Sequence, residues 1–143
     1  MKQMLRLLTC LAVAFGFAAL PASAGEVPRP KSAYLYIGWP QDGTVITQDE
    51  FRVWFGLRNM GIAPAGIKKA NTGHHHLVID APLPDANLEI PSNNNYRHFG
   101  AGQSEMMLEL PPGRHTLQLV LADHEHIMHN PPLASRKVTV TVK

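Results

Sequence analysis

From position 33 onward the chain alternates apolar and polar residues in short runs separated by turn residues. Phe51, Val53, Phe55 and Leu57 alternate with Arg52, Trp54, Gly56 and Arg58, the period of two expected of a strand with one face against a core. The same period sets His75, Leu77 and Ile79 opposite His76, Val78 and Asp80, and Met106, Leu108 and Leu110 opposite Glu105, Met107 and Glu109. A last run sets Val138, Val140 and Val142 opposite Thr139, Thr141 and Lys143. Residues 33–39 read as a further strand, closed by the turn chemistry of Pro40-Gln41-Asp42-Gly43. Pro111-Pro112-Gly113-Arg114 leads into the run His115, Leu117, Leu119 and Leu121, which predicts a hairpin with the strand before it.

No window of about a dozen residues in this part of the chain holds an uninterrupted helical period. About six or seven strands at such spacing predict an all-β fold, an antiparallel immunoglobulin-like β-sandwich with long loops. Those loops are expected at 59–73, 81–95 and 122–135. Residues 33–143 are expected to form a single domain, preceded by a short Pro-containing lead at 25–32. In such a sandwich, functional side chains collect on loops at one end.

The first 24 residues have a different pattern. Lys2 and Arg6 precede an apolar stretch from Leu7 to Leu20, interrupted by Thr9 and Gly16, and Pro21-Ala22-Ser23-Ala24 follows. A charged start, an apolar centre and an Ala-x-Ala end predict a cleavable secretory signal peptide over 1–24, hence a periplasmic or secreted protein of bacterial type. No membrane span is expected once it is removed. Cys10 lies inside the apolar stretch and not at its end, which argues against lipidation.

Removal of the signal also resets the charge. The full chain of 143 residues has 13 Lys plus Arg against 11 Asp plus Glu. Without Lys2 and Arg6 the basic count falls to 11 and the net charge to zero. No basic run longer than Lys68-Lys69 or Arg136-Lys137 remains, so the electrostatic footprint of a nucleic-acid binder is missing. The single Cys, Cys10, leaves with the signal, which excludes thiol catalysis and disulfide exchange.

What remains distinctive is histidine, with 8 in the chain. Gly73-His74-His75-His76-Leu77 places His74 and His76 on one face of a strand and His75 on the face of Leu77 and Ile79. Asp123-His124-Glu125-His126-Ile127-Met128-His129 offers three imidazoles, a thioether and two carboxylates in one loop, and His98 and His115 stand apart. Imidazole is the commonest metal ligand, and His-x-His on a strand supplies two ligands that a facing loop can complete. With Met106, Met107 and Met128 available and thiolates absent, soft-ligand logic favours copper over zinc.

Enzyme signatures fail in detail. His124-Glu125 opens a zincin motif whose second His position is Met128. Gly102-Gln103-Ser104-Glu105-Met106 lacks the closing Gly of a nucleophile elbow. Ser104, His98 and Asp123 are the set to inspect for a hydrolytic triad, and the sequence leans away from an enzyme. Gly100-Ala101-Gly102 shapes a turn, since no helix follows it to hold a phosphate. The Cys pair and long zinc loop of copper-zinc superoxide dismutase are missing.

Four motifs carry a resemblance. Residues 71–77, 98–103 (His98-Phe99-Gly100-Ala101-Gly102-Gln103), 110–119 and 126–132 together resemble the bacterial family catalogued as domain of unknown function 4399. The resemblance spans about 33–143 and implies a small exported protein, with no activity attached. It places His74, His75, His76, His98, His115, His126 and His129 at family motif positions and leaves His124 outside. The family pattern has Thr at Ser104 and commonly Pro at Met128, so the thioether is no family ligand. The expectation is therefore an exported domain that binds copper or zinc through histidines drawn from those seven. The alternative is a structural or interaction module of the cell envelope, with an envelope protein as partner and the histidines as a hydrogen-bond network.

Overall fold

The computed structural model describes residues 25–143, and the export signal expected over 1–24 lies outside the described residues. In chain order the strands are β1 (Tyr34–Trp39), β2 (Thr44–Ile46), β3 (Glu50–Arg58), β4 (Gly61–Ile62), β5 (Thr72–Ile79), β6 (Tyr96–His98), β7 (Glu105–Glu109), β8 (Gly113–Ala122) and β9 (Val138–Val142). No helix among the described residues is long and apolar enough to cross a membrane. The fold is all-β, in two open sheets. One has the order β1-β3-β7; the other runs β2-β9-β8-β5-β4, with β6 also paired to β5.

The alternation read from the sequence builds the space between the sheets. Leu35, Ile37, Phe51, Val53, Phe55 and Leu108 from the smaller sheet meet Leu77, Ile79, Leu117, Leu119, Leu121, Val138 and Val140 from the larger in one buried cluster. At roughly 1.5–3 kcal/mol for each large apolar side chain removed from water, this cluster is the main stabilising term.

The outer face of the larger sheet is also covered. Val78, Val120 and Ala122 point away from the core and join Ile90 and Met128 in a second apolar cluster. Ile90 belongs to the 81–95 loop and Met128 to the 122–135 loop, so both fold back over the sheet. Every residue of β5 from Gly73 to Ile79 is consequently buried. Loops of this length bury their backbone only if its polar groups are paired. Here Ile90 N–H donates to His126 O (2.9 Å), Asp123 N–H to Ile127 O (2.8 Å), and Leu121 N–H to Leu133 O (3.0 Å).

Several expectations change. The segment Pro111–Arg114 does not close a hairpin: β7 pairs with β3, and β8 with β5 and β9. It crosses between sheets. Apolar alternation is the same for a hairpin and for two strands facing each other across a core, so the pattern could not separate them. Two pairs, β2 with β9 and β4 with β5, are parallel; the short strand β4 lies inside the loop expected at 59–73, and β2 and β6 lie just past the turn at 40–43 and the loop at 81–95, where the sequence predicts no strand. The lead at 25–32 straps down the 122–135 loop. Asn130 N–H donates to Val27 O (2.9 Å), and the Arg29 guanidinium donates to Pro131 O (2.7 Å) and Pro132 O (3.1 Å).

Met128 is 2% exposed at the centre of the second cluster. Met128→Ala is expected to cost about 2–5 kcal/mol, read by chemical denaturation. A loss under about 1 kcal/mol would show that backbone pairing alone holds the loop.

Candidate metal centre

On the outer face of β5, His74 and His76 lie two residues apart, and both are 0% exposed. In the antiparallel register of β5 with β8, His74 stands opposite Ala122 and His76 opposite Val120, small and apolar neighbours that leave room above the strand. On its other side His76 stands opposite His98 of β6, so that cross-strand pairing sets their rings 5.0 Å apart. β8 ends beside His74, and the turn after it returns His126 over the same patch. All six ring pairs among the four imidazoles fall between 4.8 and 6.0 Å, centroid to centroid.

That spacing is compatible with a shared ion. With ligand nitrogens 2.0–2.1 Å from an ion and each ring centre just over 1 Å beyond its nitrogen, four imidazoles in a tetrahedron have centroids about 5 Å apart. Five of the six distances lie between 4.8 and 5.1 Å. Ligand nitrogens of His74, His76 and His98 all lie within 4.8 Å of one another, a group that His126 does not join in this arrangement of its ring. His74 Nε2 and His76 Nε2 are 3.1 Å apart, close to the roughly 3.3 Å edge of such a tetrahedron.

Two backbone features bring in the outer rings. A Cβ at Gly100 would collide with His98 Cε1 and lie 2.6 Å from its Nε2, so the His98 ring rests on a position only glycine leaves open. His126 has a φ of 65°, the left-handed region that costs a non-glycine residue on the order of 1 kcal/mol or more. The turn that imposes it is built by Asp123, whose Oδ1 accepts from Glu125 N–H (2.8 Å) and Ile127 N–H (3.1 Å).

Electrostatics disfavour protonation of His74, His76 and His98. Burial, then His126 and His98, lower the His74 pKa to about 4, against an opposing pull from Asp123. Burial, then His74, His98 and His126, lower that of His76 to about 2. His98 is lowered by burial and by His126. The Nδ1 atoms of His74 and His76 are buried without a hydrogen-bond partner. If one Nε2 carries a proton toward the other, the second ring must hold its own on Nδ1, an orphaned donor. If neither does, two lone pairs face each other at 3.1 Å and both Nδ1–H groups are orphaned. A cation between the Nε2 atoms turns that repulsion into ligation.

The other candidates are elsewhere. His75 points into the core, 5.1 Å from the Phe55 ring, and donates from Nδ1 to Gln103 O (3.0 Å); burial lowers its pKa against that bond. His129 is 0% exposed, with ring nitrogens 3.0 Å from Thr72 O and 3.4 Å from Leu121 O, a brace between β5 and β8. His115 donates to Asp80 Oδ2 (2.6 Å) and Pro111 O (2.8 Å). His124 groups with Asp123 and Glu125, but Asp123 is engaged in the turn. Met128 lies in the second apolar cluster and Met106 against the main core, while Met107 is an exposed residue of the smaller sheet. None of the thioethers joins the four rings. Among the described residues no hydrogen bond links Ser104, His98 and Asp123. Gly100 and Asp123 were read in the sequence as a turn glycine and a triad candidate; their part in seating His98 and His126 depends on contacts that spacing does not report.

No curated protein and no solved structure matches the chain. One family model matches, over residues 53–143, and it is described as a domain of unknown function (DUF4399). That span holds all 8 histidines.

The pH dependence follows from the shifts. His74 and His76 have folded pKa values below the usual 6.5, so the unfolded chain takes up protons that the folded one refuses. Their share of stability is intact above about pH 6.5 and is lost as pH falls toward 4. His115 behaves oppositely. Burial opposes its charge, but Asp80 and the Pro111 carbonyl outweigh burial and raise its pKa; its share is present below about 6.5 and lost as pH rises through the raised value. NMR titration of the metal-free protein is expected to show His74 and His76 neutral at pH 5 and His115 charged above 6.5, with Asp80→Asn lowering only His115.

Proposed function

The chain belongs to the DUF4399 family, whose name specifies no activity, and on that premise we propose that it binds one transition-metal ion through His74, His76, His98 and His126. The observation that carries this reading is the set of ring spacings near those of a tetrahedral all-imidazole site. Copper is favoured over zinc, on a different ground from the one the methionines offered. Nitrogen ligands bind Cu(II) more tightly than Zn(II) along the Irving–Williams order. Four neutral ligands around a largely buried ion also leave its charge uncompensated, which favours the single charge of Cu(I). The role is storage or delivery in the bacterial envelope, reached through the export signal read at 1–24. Strand order supports the finer reading of the fold: β1-β3-β7 and β6-β5-β8-β9 correspond to the A-B-E and C′-C-F-G sheets of an immunoglobulin-like sandwich.

The hydrogen-bond-network reading is favoured for the other three family-position histidines, His75, His115 and His129, each bonded to a backbone carbonyl. Both roles thus occur in one chain, on different residues.

Protein purified without a His tag and titrated with Cu(I), Cu(II) and Zn(II) is expected to take up one ion per chain. His74→Ala with His76→Ala should abolish that binding, while His115→Ala and His129→Ala lower stability by about 1–3 kcal/mol and leave the stoichiometry at one. Absence of stoichiometric binding of all three ions sinks the proposal.

His126→Gly separates function from stability. Relief of the left-handed backbone should raise the melting temperature of the metal-free protein or leave it unchanged, while copper affinity falls at least about ten-fold. An unchanged affinity would remove His126 from the ligand set.

A further inference from the structure

Resting on that metal reading, the geometry points to a delivery site: we propose that the ion passes to an acceptor approaching from the His98 and His126 side, those two imidazoles being displaced first while His74 and His76 still hold it. The four ligands fall into two unlike pairs. His74 and His76 are on β5, which is paired on both sides, and are 0% exposed. An acceptor cannot reach them without opening the sheet or its loop cover. His98 ends the three-residue strand β6 and is open to solvent, and the His126 side chain is 29% exposed in a turn.

Enclosure, not hydrogen bonding, separates the two pairs. A ligand histidine is normally fixed by a hydrogen bond from its second ring nitrogen, and that bond holds the ring in place. Among the described residues none of the four rings has that bond: the Nδ1 atoms of His74 and His76 are buried and unpaired, and no hydrogen bond reaches the ring of His98 or His126. The carboxylate of Glu89, 75% exposed, lies 4.0 Å from His126 Nδ1, outside bonding distance but placed to receive that N–H when the ring swings outward. The base is held by enclosure; the rim rings have only their seats at Gly100 and in the Asp123 turn, with solvent on their outer side.

The exchange is a ligand substitution without electron transfer. Bonds from the ion to His126 and His98 break as bonds to the acceptor form, and the bonds to His74 and His76 break last. The copper keeps its oxidation state, and the departing imidazoles remain neutral. For Cu(I) the fitting acceptor is a protein presenting thioether or thiolate sulfur, which outcompetes imidazole for a soft ion.

The test loads the full protein with Cu(I) and mixes it with excess bathocuproine disulfonate, a bulky anionic chelator, following the coloured complex by stopped flow. The transfer rate should rise in proportion to chelator concentration, because the acceptor enters before the ion leaves. His98→Ala and His126→Ala should each still bind one copper and transfer it about ten-fold faster or more, and Glu89→Gln should slow transfer. A rate independent of chelator concentration, or rim variants that transfer at the parent rate, overturns the proposal while leaving metal binding intact. If calorimetry shows the parent protein taking up no copper, the metal reading fails with it. Circular dichroism of each variant establishes that it is folded, and His126→Gly, which relaxes the backbone, serves in place of a His126→Ala that is not.

Discussion

The site depends on one constraint, that β5 is dry on both faces. A strand in a two-sheet protein ordinarily has one face in the core and one in water. Here the second apolar cluster, with Ile90 and Met128 at its centre, closes the water face as well. Without that cover His74 and His76 would be solvated strand residues of ordinary basicity. With it they lose their hydration and stay neutral into acid, the protonation state a metal ligand requires. The same folded-back loops that supply the cover supply His126. Desolvation and convergence therefore have a single structural cause.

Six of the 8 histidines divide by what their ring nitrogens face; His75, with Nδ1 on Gln103 O and Nε2 buried and unpaired, and His124 stand apart. Where both face oxygen, the ring is a brace, and His115 between the Asp80 carboxylate and the Pro111 carbonyl is the extreme case. Such bonds are each worth about a kilocalorie per mole, more where a charge is involved. Where the nitrogens face other imidazoles, no protonation pattern satisfies them all, and the arrangement costs stability. Two of the four non-glycine residues with positive φ show the contrast: Asp80, with φ of 51°, sits under a brace, and His126, with φ of 65°, sits in the cluster. The first strain is offset by hydrogen bonds to Thr116 and His115; the second has no such offset in its own side chain.

Strand alternation was legible in the sequence because period two is a local property. It assigned His75 to the core face and His74 with His76 to the other, and the core clusters follow it. The sheet to which a strand belongs was not legible, since apolar spacing around Pro111–Arg114 is indifferent to whether the next strand pairs or faces. The seven family-position histidines could not be sorted from spacing either. His98 reaches the cluster through the β5–β6 register, and His126 through a turn fixed by Asp123; both are long-range or conformational facts. Met128 misled for a related reason: it lies between His126 and His129 in the sequence, but the irregular loop turns it toward Val120 and Ala122.

Ligation at the proposed site would be energetically coupled to loop packing through these contacts. An ion joined to His126 restrains the 123–126 turn, and through Ile90 N–H on His126 O the 81–95 loop as well. An ion that binds only the folded state stabilises it by about 2.7 kcal/mol at one hundred times its dissociation constant, and here that stabilisation acts on the two loops that exclude water from the base pair. Conversely, the apolar cover must be stable enough by itself to hold His74 and His76 neutral before any ion arrives. The main core of the two sheets makes that arrangement tenable, because it does not run through the cluster. The fold can therefore tolerate unsatisfied imidazoles on its outer face, where a protein whose core depended on the metal could not release it.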